Sequence, residues 1–292
     1  MKKSLQFITL LSAFTLLSCG AENNSSSPSS GNSSSNPSSS TSEPWTKEEC
    51  ERKIELFLND LASLKKNVSS LSYESTQSDY YYAVTIDTKV IGTKTLYKGL
   101  SSDPDSGVSS ITIDKYKYYQ DSDDVYTDCE TQTYIEGDRL YILNHYDDDS
   151  VPDSKNTLIY DEELFGGRFD LSFQREERDL LTDYQNYFDV EGAKIVDVLL
   201  PSIKGDGTFN YSYGLEYYQE GVKTQSIVYK NQIVISNNQI TQVKREMVNN
   251  KYVRSEVINS TTSTVERHYT YENPSPYSGT LFDPNDFPTS NS

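Results

Sequence analysis

Phe209-Asn210-Tyr211-Ser212-Tyr213-Gly214-Leu215-Glu216-Tyr217 alternates large apolar with small or polar residues along its whole length. A period of two puts Phe209, Tyr211, Tyr213, Leu215 and Tyr217 on one face of a strand, and Asn210, Ser212 and Glu216 on the other. One greasy face and one wet face mark an antiparallel sheet covered on a single side. Downstream, KTQSIVYKNQIVI (223–235), QITQVKREMV (239–248), KYVRSEVI (251–258) and TSTVERHYTY (262–271) read as four more strands, separated by Asn-Asn or Ser-Thr turns. Strands of about ten residues are long for a small globular protein. Long antiparallel strands with one apolar face tend to curl into a half barrel that needs a cover.

Upstream the pattern changes. From Tyr160 to Ile203, Phe173, Leu180, Leu181, Tyr184 and Phe188 suit helical spacing, as do Ile195, Val198 and Leu199. Two or three short helices are expected, interrupted at Gly166-Gly167 and Gly192 and ended by Pro201. Before them lies another run of strands. Tyr80, Tyr82, Val84, Ile86 and Val90 fall on one face, VSSITIDKYKYYQ follows, and Ile135-Glu136-Gly137-Asp138-Arg139 reads as a tight hairpin turn. Residues 46–67 form an amphipathic helix. Thr46 and Glu49 make a capping box, and Cys50, Ile54, Phe57, Leu58, Leu61 and Leu64 make one apolar stripe. The expected fold is therefore α+β: a long curved antiparallel sheet, half-barrel-like, covered by an N-terminal helix and a central helical insertion.

This order of helix, meander, helical insertion and meander resembles the LolA/LppX-like family of exported lipoprotein carriers. The phrase Tyr134-Ile135-Glu136-Gly137-Asp138-Arg139-Leu140-Tyr141 looks like a hairpin common in such proteins. The resemblance covers roughly residues 46–288 and is architectural. It implies a cavity for acyl chains between sheet and helices, and it carries over no functional residue, because shape defines that cavity.

The N-terminus sets location. Lys2 and Lys3 precede an apolar run from Leu5 to Leu17, the form of a secretory signal. The run is shorter than the roughly 20 residues a membrane-spanning helix needs. Leu16-Leu17-Ser18-Cys19 looks like a bacterial lipobox, so residues 1–18 read as a lipoprotein signal peptide and Cys19 as the lipidated residue. The stretch to residue 44 is nearly all Ser and Asn with scattered Pro and Gly. It has too little apolar surface to offset the entropy of ordering, and reads as a disordered tether. Residues 45–288 are expected to form one domain, and 289–292 a disordered tail. The partner this implies is a membrane, reached through the anchor on its extracytoplasmic side.

The formal charge of −18 argues against nucleic acid and against direct adhesion to anionic headgroups. With Cys19 lipidated, Cys50 and Cys129 remain. Two alternatives are open for them: one disulfide stapling the helix to the sheet, or two separate buried thiols.

Signals for chemistry are sparse. His145 and His268 fall near strand ends, where surface positions are the rule. There is no G-x-S-x-G, P-loop, G-x-G-x-x-G or H-E-x-x-H motif. The acidic turns at Asp103/Asp105, Asp121/Asp123/Asp124 and Asp147–Asp149 do not match calcium-loop spacing and read as solvated. No catalytic residue, metal or cofactor is expected. Two function classes remain. One is a membrane-tethered, non-enzymatic protein holding a lipid or other apolar ligand, with Phe209, Tyr211, Tyr213, Leu215 and Tyr217 as candidate cavity lining. The other is a surface structural or interaction protein with a filled core, contacting proteins or glycans.

Overall fold

A computed structural model describes residues 46–64, 68–81, 84–121, 125–162, 169, 171, 190–253 and 256–288. The expected signal peptide, Cys19 and the expected tether lie outside the described residues, as does most of the expected helical insertion.

The helix α1 (Lys47–Ala62) forms as its sequence dictates. The Thr46 hydroxyl accepts from the Glu49 N–H at 3.3 Å, and the Glu49 carboxylate accepts from the Thr46 N–H at 3.1 Å. Its buried stripe is Cys50, Ile54, Phe57 and Leu61. The helix ends at Ala62, before the expected Asn67, with Ser63 as C-cap. The Asp60 carboxylate accepts from the Ile203 N–H at 2.7 Å and the Ser202 hydroxyl at 3.3 Å, which ties the last turn to the chain leaving the central region.

Most of the other described residues form one open antiparallel sheet of eleven strands. They are β1 (Val68–Tyr81), β2 (Val84–Tyr97), β3 (Val108–Gln120), β4 (Val125–Glu136), β5 (Arg139–Tyr146), β6 (Ser154–Ile159), β7 (Ala193–Leu199), β8 (Gly207–Gln219), β9 (Val222–Ser236), β10 (Gln239–Val253) and β11 (Glu256–Tyr271). Their order is β6-β5-β4-β3-β2-β1-β11-β10-β9-β8-β7. Two meanders thus meet where the first strand pairs with the last, and β6 and β7 form opposite edges instead of closing a barrel.

Several expectations change. Among the described residues the chain is more sheet and less helix than expected, and α1 is the only helix of more than one turn. Ile195, Val198 and Leu199, read as helical, belong to β7. Asp197 takes a positive φ of 54°, and the register against β8 breaks between Val196 and Leu199. This bulge turns an alternation of two into a spacing of three, which imitates a helix. KYVRSEVI is not a separate strand. Asn249 and Asn250 are buried inside β10, and Ser260-Thr261 lies inside β11. Their side chains bond sideways in the sheet, Gln225 Nε2 donating to Asn249 Oδ1 at 3.2 Å and the Ser260 hydroxyl to Asn250 Oδ1 at 2.9 Å. Tyr80 to Val90 is not one strand either but the ends of β1 and β2.

The hairpin turns obey local rules. Gly137 at φ 61° joins β4 to β5, and Tyr134 and Tyr141 pair across it with ring centroids 5.3 Å apart. Asn237 and Asn238, at φ 55° and 60°, join β9 to β10. The Asp206 carboxylate accepts from both their N–H groups, which holds its pKa below the usual range.

The two faces of the sheet are covered differently. On the inner face, α1 inserts Phe57 and Leu61, with Leu64 just past its C-cap, among Tyr211, Leu215, Tyr229 and Ile233. On the outer face of the first meander, the C-terminal segment 272–288 lies as a strap over Ile111, Ile113, Tyr134 and Leu143. Backbone bonds join Lys98 to Ser275, Gly99 and Ser101 to Tyr277, and Lys155 to Pro288. The strap's anchor is Gln132, 1% exposed. Its Oε1 accepts from the Phe282 N–H at 2.8 Å, and its Nε2 donates to the Thr280 carbonyl at 3.4 Å.

Candidate functional site: the inner face of the sheet

The five residues singled out on β8 do share the inner face. Tyr211, Tyr213 and Leu215 are buried, while Phe209 and Tyr217 are half-buried against the same core. Asn210 is exposed, and Ser212 and Glu216 are half-exposed on the outer face. Under α1 this region is packed solid. Phe57 meets Tyr211 at 4.9 Å between ring centroids, and Tyr213 stacks on Tyr229 at 4.6 Å.

Further along the face, the register assembles a feature that sequence reading missed. Asn231 (β9) stands opposite Arg245 (β10). Arg267 (β11) stands opposite Tyr73 (β1), and Tyr73 opposite Gly92 (β2). Lys94 (β2) stands opposite Asp114 (β3). Read diagonally, these residues form a polar belt across six adjacent strands. Arg245 lies over the Tyr229 ring, 4.9 Å from its centroid, and donates to Tyr213 Oη at 3.4 Å. Asp114, 3% exposed, accepts from Tyr73 Oη at 2.8 Å and pairs with Lys94 at 3.0 Å. Burial, then the Asp114 charge and hydrogen bond, push the Tyr73 phenol well above its ordinary pKa.

Tyr73 reaches Asp114 by crossing Gly92. A Cβ on Gly92 would stand 2.4 Å from Tyr73 Oη. Beyond Asp114 the polar row continues, with the Thr131 hydroxyl donating to Asn144 Oδ1 at 2.8 Å and Asn144 Nδ2 to the Ser154 hydroxyl at 3.0 Å.

The two cysteines go to separate clusters. Cys50 packs with Ile54, and Cys129 with Tyr116, Tyr146 and Val151. Both thiols are free, so the bridge between Cys50 and Cys129 is not formed in this structure, and the alternative of two buried thiols describes it. Burial pushes the Cys129 thiol up to about 11, and raises Cys50 as well.

The histidines sit apart from the belt. His145 Nδ1 lies 2.9 Å from Asp153, and His268 Nε2 lies 3.2 Å from Glu266. Among the described residues no group of three or more His, Cys, Asp or Glu side chains is placed to hold a metal, and no helix is long and apolar enough to cross a membrane.

No protein-family model and no curated protein matches the chain. Among solved structures, it is similar to a DUF1329 family protein from Desulfovibrio piger at 11% identity and a TM-score of 0.27, over 75% of this chain and 92% of that one. It is also similar to a putative outer membrane lipoprotein-sorting protein domain from Vibrio parahaemolyticus, at 10% identity and a TM-score of 0.24, over 75% and 92%. A LolA superfamily protein from Nitrosomonas europaea aligns at 8% identity and a TM-score of 0.22, over 74% and 92%.

Proposed function

We propose that this is an extracytoplasmic lipoprotein, held to a membrane by lipid on Cys19 and set off from it by the Ser/Asn tether, whose inner sheet face holds an apolar or amphiphilic ligand without catalysis. The observation that carries the reading is a mismatch of areas. Eleven strands at about 4.8 Å spacing make a face roughly 50 Å across. A helix with its side chains is about 10–12 Å wide. Among the described residues α1 covers the part over β7–β10, Leu171 and Phe169 pack on the same face, and half-buried apolar groups such as Val90, Met247, Val265 and Tyr271 lie beside them.

The packed core under α1 favours the second reading, an interaction protein with no cavity. Native mass spectrometry of the mature protein from a lipid-containing bacterial host separates the two. Co-purified acyl species are expected. A bare protein that also fails to take up added dodecanoate refutes the carrier. Anchoring has its own check, since Cys19→Ala should leave the membrane fraction or remain uncleaved.

A further inference from the structure

The outer face of the first meander holds the strap by its backbone. Lys98 N–H donates to the Ser275 carbonyl, Ser101 N–H to the Tyr277 carbonyl, and Tyr277 N–H to the Gly99 carbonyl. Gln132 Nε2 donates to the Thr280 carbonyl, Gln132 Oε1 accepts from the Phe282 N–H, and Tyr134 Oη donates to the Phe282 carbonyl at 3.1 Å. Lys155 donates through Nζ to the Pro284 carbonyl and through its own N–H to the Pro288 carbonyl. Each of these bonds ends on a main-chain atom of the strap, so none of them reads its side chains. Side chains enter through three rings spaced five residues apart. Tyr277 packs on Tyr97 with ring centroids 4.9 Å apart, and Phe282 meets the His145 ring at 5.8 Å. Phe287 is buried in the cluster of Ile111, Ile113, Tyr134 and Leu143. Main-chain bonds for affinity and apolar sites for selected side chains are the means by which folded domains take up extended peptides. Most of the strap's other side chains are exposed or half-exposed. It leaves β11 through Asn273-Pro274-Ser275-Pro276, where two prolines favour an extended entry.

We infer that this face is a peptide-docking groove closed in cis by residues 275–288, and that it takes in trans an extended segment of a partner protein with aromatic side chains five residues apart. The cis occupant displays the chemistry the groove recognises. It is also the competitor, because a short tether gives it an effective concentration of about millimolar order. A partner segment binds only as far as it displaces the strap. The groove lies on the face opposite the proposed ligand site and does not depend on it.

The test uses a fluorescein-labelled peptide of sequence 272–288 and the full chain, read by fluorescence anisotropy. The unaltered chain should bind the peptide weakly, because the strap competes. Phe287→Ala, made in the chain and not in the peptide, weakens only the cis occupant and should tighten peptide binding about tenfold. A peptide in which Tyr277, Phe282 and Phe287 are all replaced by Ala should not bind. Adding Gln132→Ala to Phe287→Ala removes two of the groove's contacts to the backbone and should weaken binding again by about tenfold. Should Phe287→Ala fail to fold, a chain with a protease site inserted between Asn273 and Pro274, cut after folding, should exchange its strap for the labelled peptide. No binding to a folded Phe287→Ala chain, or a cut strap that does not exchange, overturns the docking groove. Binding to the unaltered chain as tight as to Phe287→Ala overturns the closure in cis. Equal binding of the peptide without its three rings overturns the aromatic selection. Dimers of the chain that form without peptide and dissociate when it is added make the occupant a second copy, and overturn the partner assignment.

Discussion

Replacing Gly92 by Ala tests whether the belt holds the sheet together. The added methyl would lie 2.4 Å from Tyr73 Oη, 2.5 Å from its Cζ and 2.8 Å from Tyr116 Cβ. Contacts this short force the Tyr73 ring aside. The ring cannot leave without losing its 2.8 Å bond to Asp114, which is 3% exposed. A hydrogen bond to a charged group contributes about 1.5–3 kcal/mol, and overpacking costs about 1–3 kcal/mol. Against this, Ala in a strand interior recovers roughly 0.5–1 kcal/mol of backbone entropy relative to Gly. The two costs share one displacement and do not add fully, so a net loss of about 2–4 kcal/mol is expected. The assay is urea unfolding of the wild type, Gly92→Ala, Tyr73→Ala and the double variant. If the Tyr73 ring is what the methyl chiefly meets, Gly92→Ala should cost clearly less once Tyr73 is Ala, with only the 2.8 Å approach to Tyr116 Cβ left to relieve. An equal cost in both backgrounds refutes the reasoning and places the clash at Tyr116. No cost in the wild type refutes the crossing altogether.

Two other outcomes follow from named contacts. Gln132→Ala removes the side chain that holds the strap at Thr280 and Phe282. Orphaning the Phe282 N–H should cost about 1–3 kcal/mol and open the 272–288 segment to limited proteolysis, and unchanged stability and cleavage would remove Gln132 as the anchor. The thiols of Cys50 and Cys129 should both alkylate without reductant once the protein is unfolded, and resist alkylation while folded. With Cys129 raised to about 11 by burial, the reactive thiolate is scarce at pH 8 and grows only as pH climbs toward that value. An intact mass two hydrogens short would show a bridge instead.

How far the sequence could be read depends on what each strand faces. On β8 every inward position is aromatic or aliphatic, and the alternation announces both strand and face. On β1 the inward positions from Ser75 to Asp79 are Ser, Gln and Asp, because this strand crosses the seam below the belt. A strand polar on both faces has no period, and the stretch before Tyr80 gave no signal. β7 had a period, but the bulge at Asp197 made it the wrong one. The capping box and stripe of α1 depend on neighbours in sequence and were legible in full. The belt depends on cross-strand register over six strands, which no local pattern encodes. Arg245, Arg267 and Asn231 each look like ordinary polar residues of a wet face until their partners are known. The strap was illegible for the same reason, since Gln132 and Phe282 meet only through the fold.

The seam between β1 and β11 shows why a polar belt belongs there. A slip of one residue along β1 would turn Glu74 inward and Tyr73 outward, so register must be fixed. Apolar side chains fix it elsewhere: a slipped β8 would bury Asn210, Ser212 and Glu216. The seam has few apolar side chains to exploit. Its inner face past Tyr73 reads Ser75, Gln77 and Asp79 against Val265, Ser263 and Thr261. Specificity must then come from groups that satisfy each other in one alignment only. Tyr73 reaches Asp114 solely when it lies opposite the one residue of β2 without a side chain, Gly92, and Lys94 meets Asp114 solely in the register that puts Tyr116 beside Gly92. The first and last strands come from opposite ends of the domain, and this long-range pairing joins the two meanders. Hydrogen bonds and one ion pair thus set the alignment that hydrophobicity leaves open, and they do so on the face where the arginines and Asn231 gather.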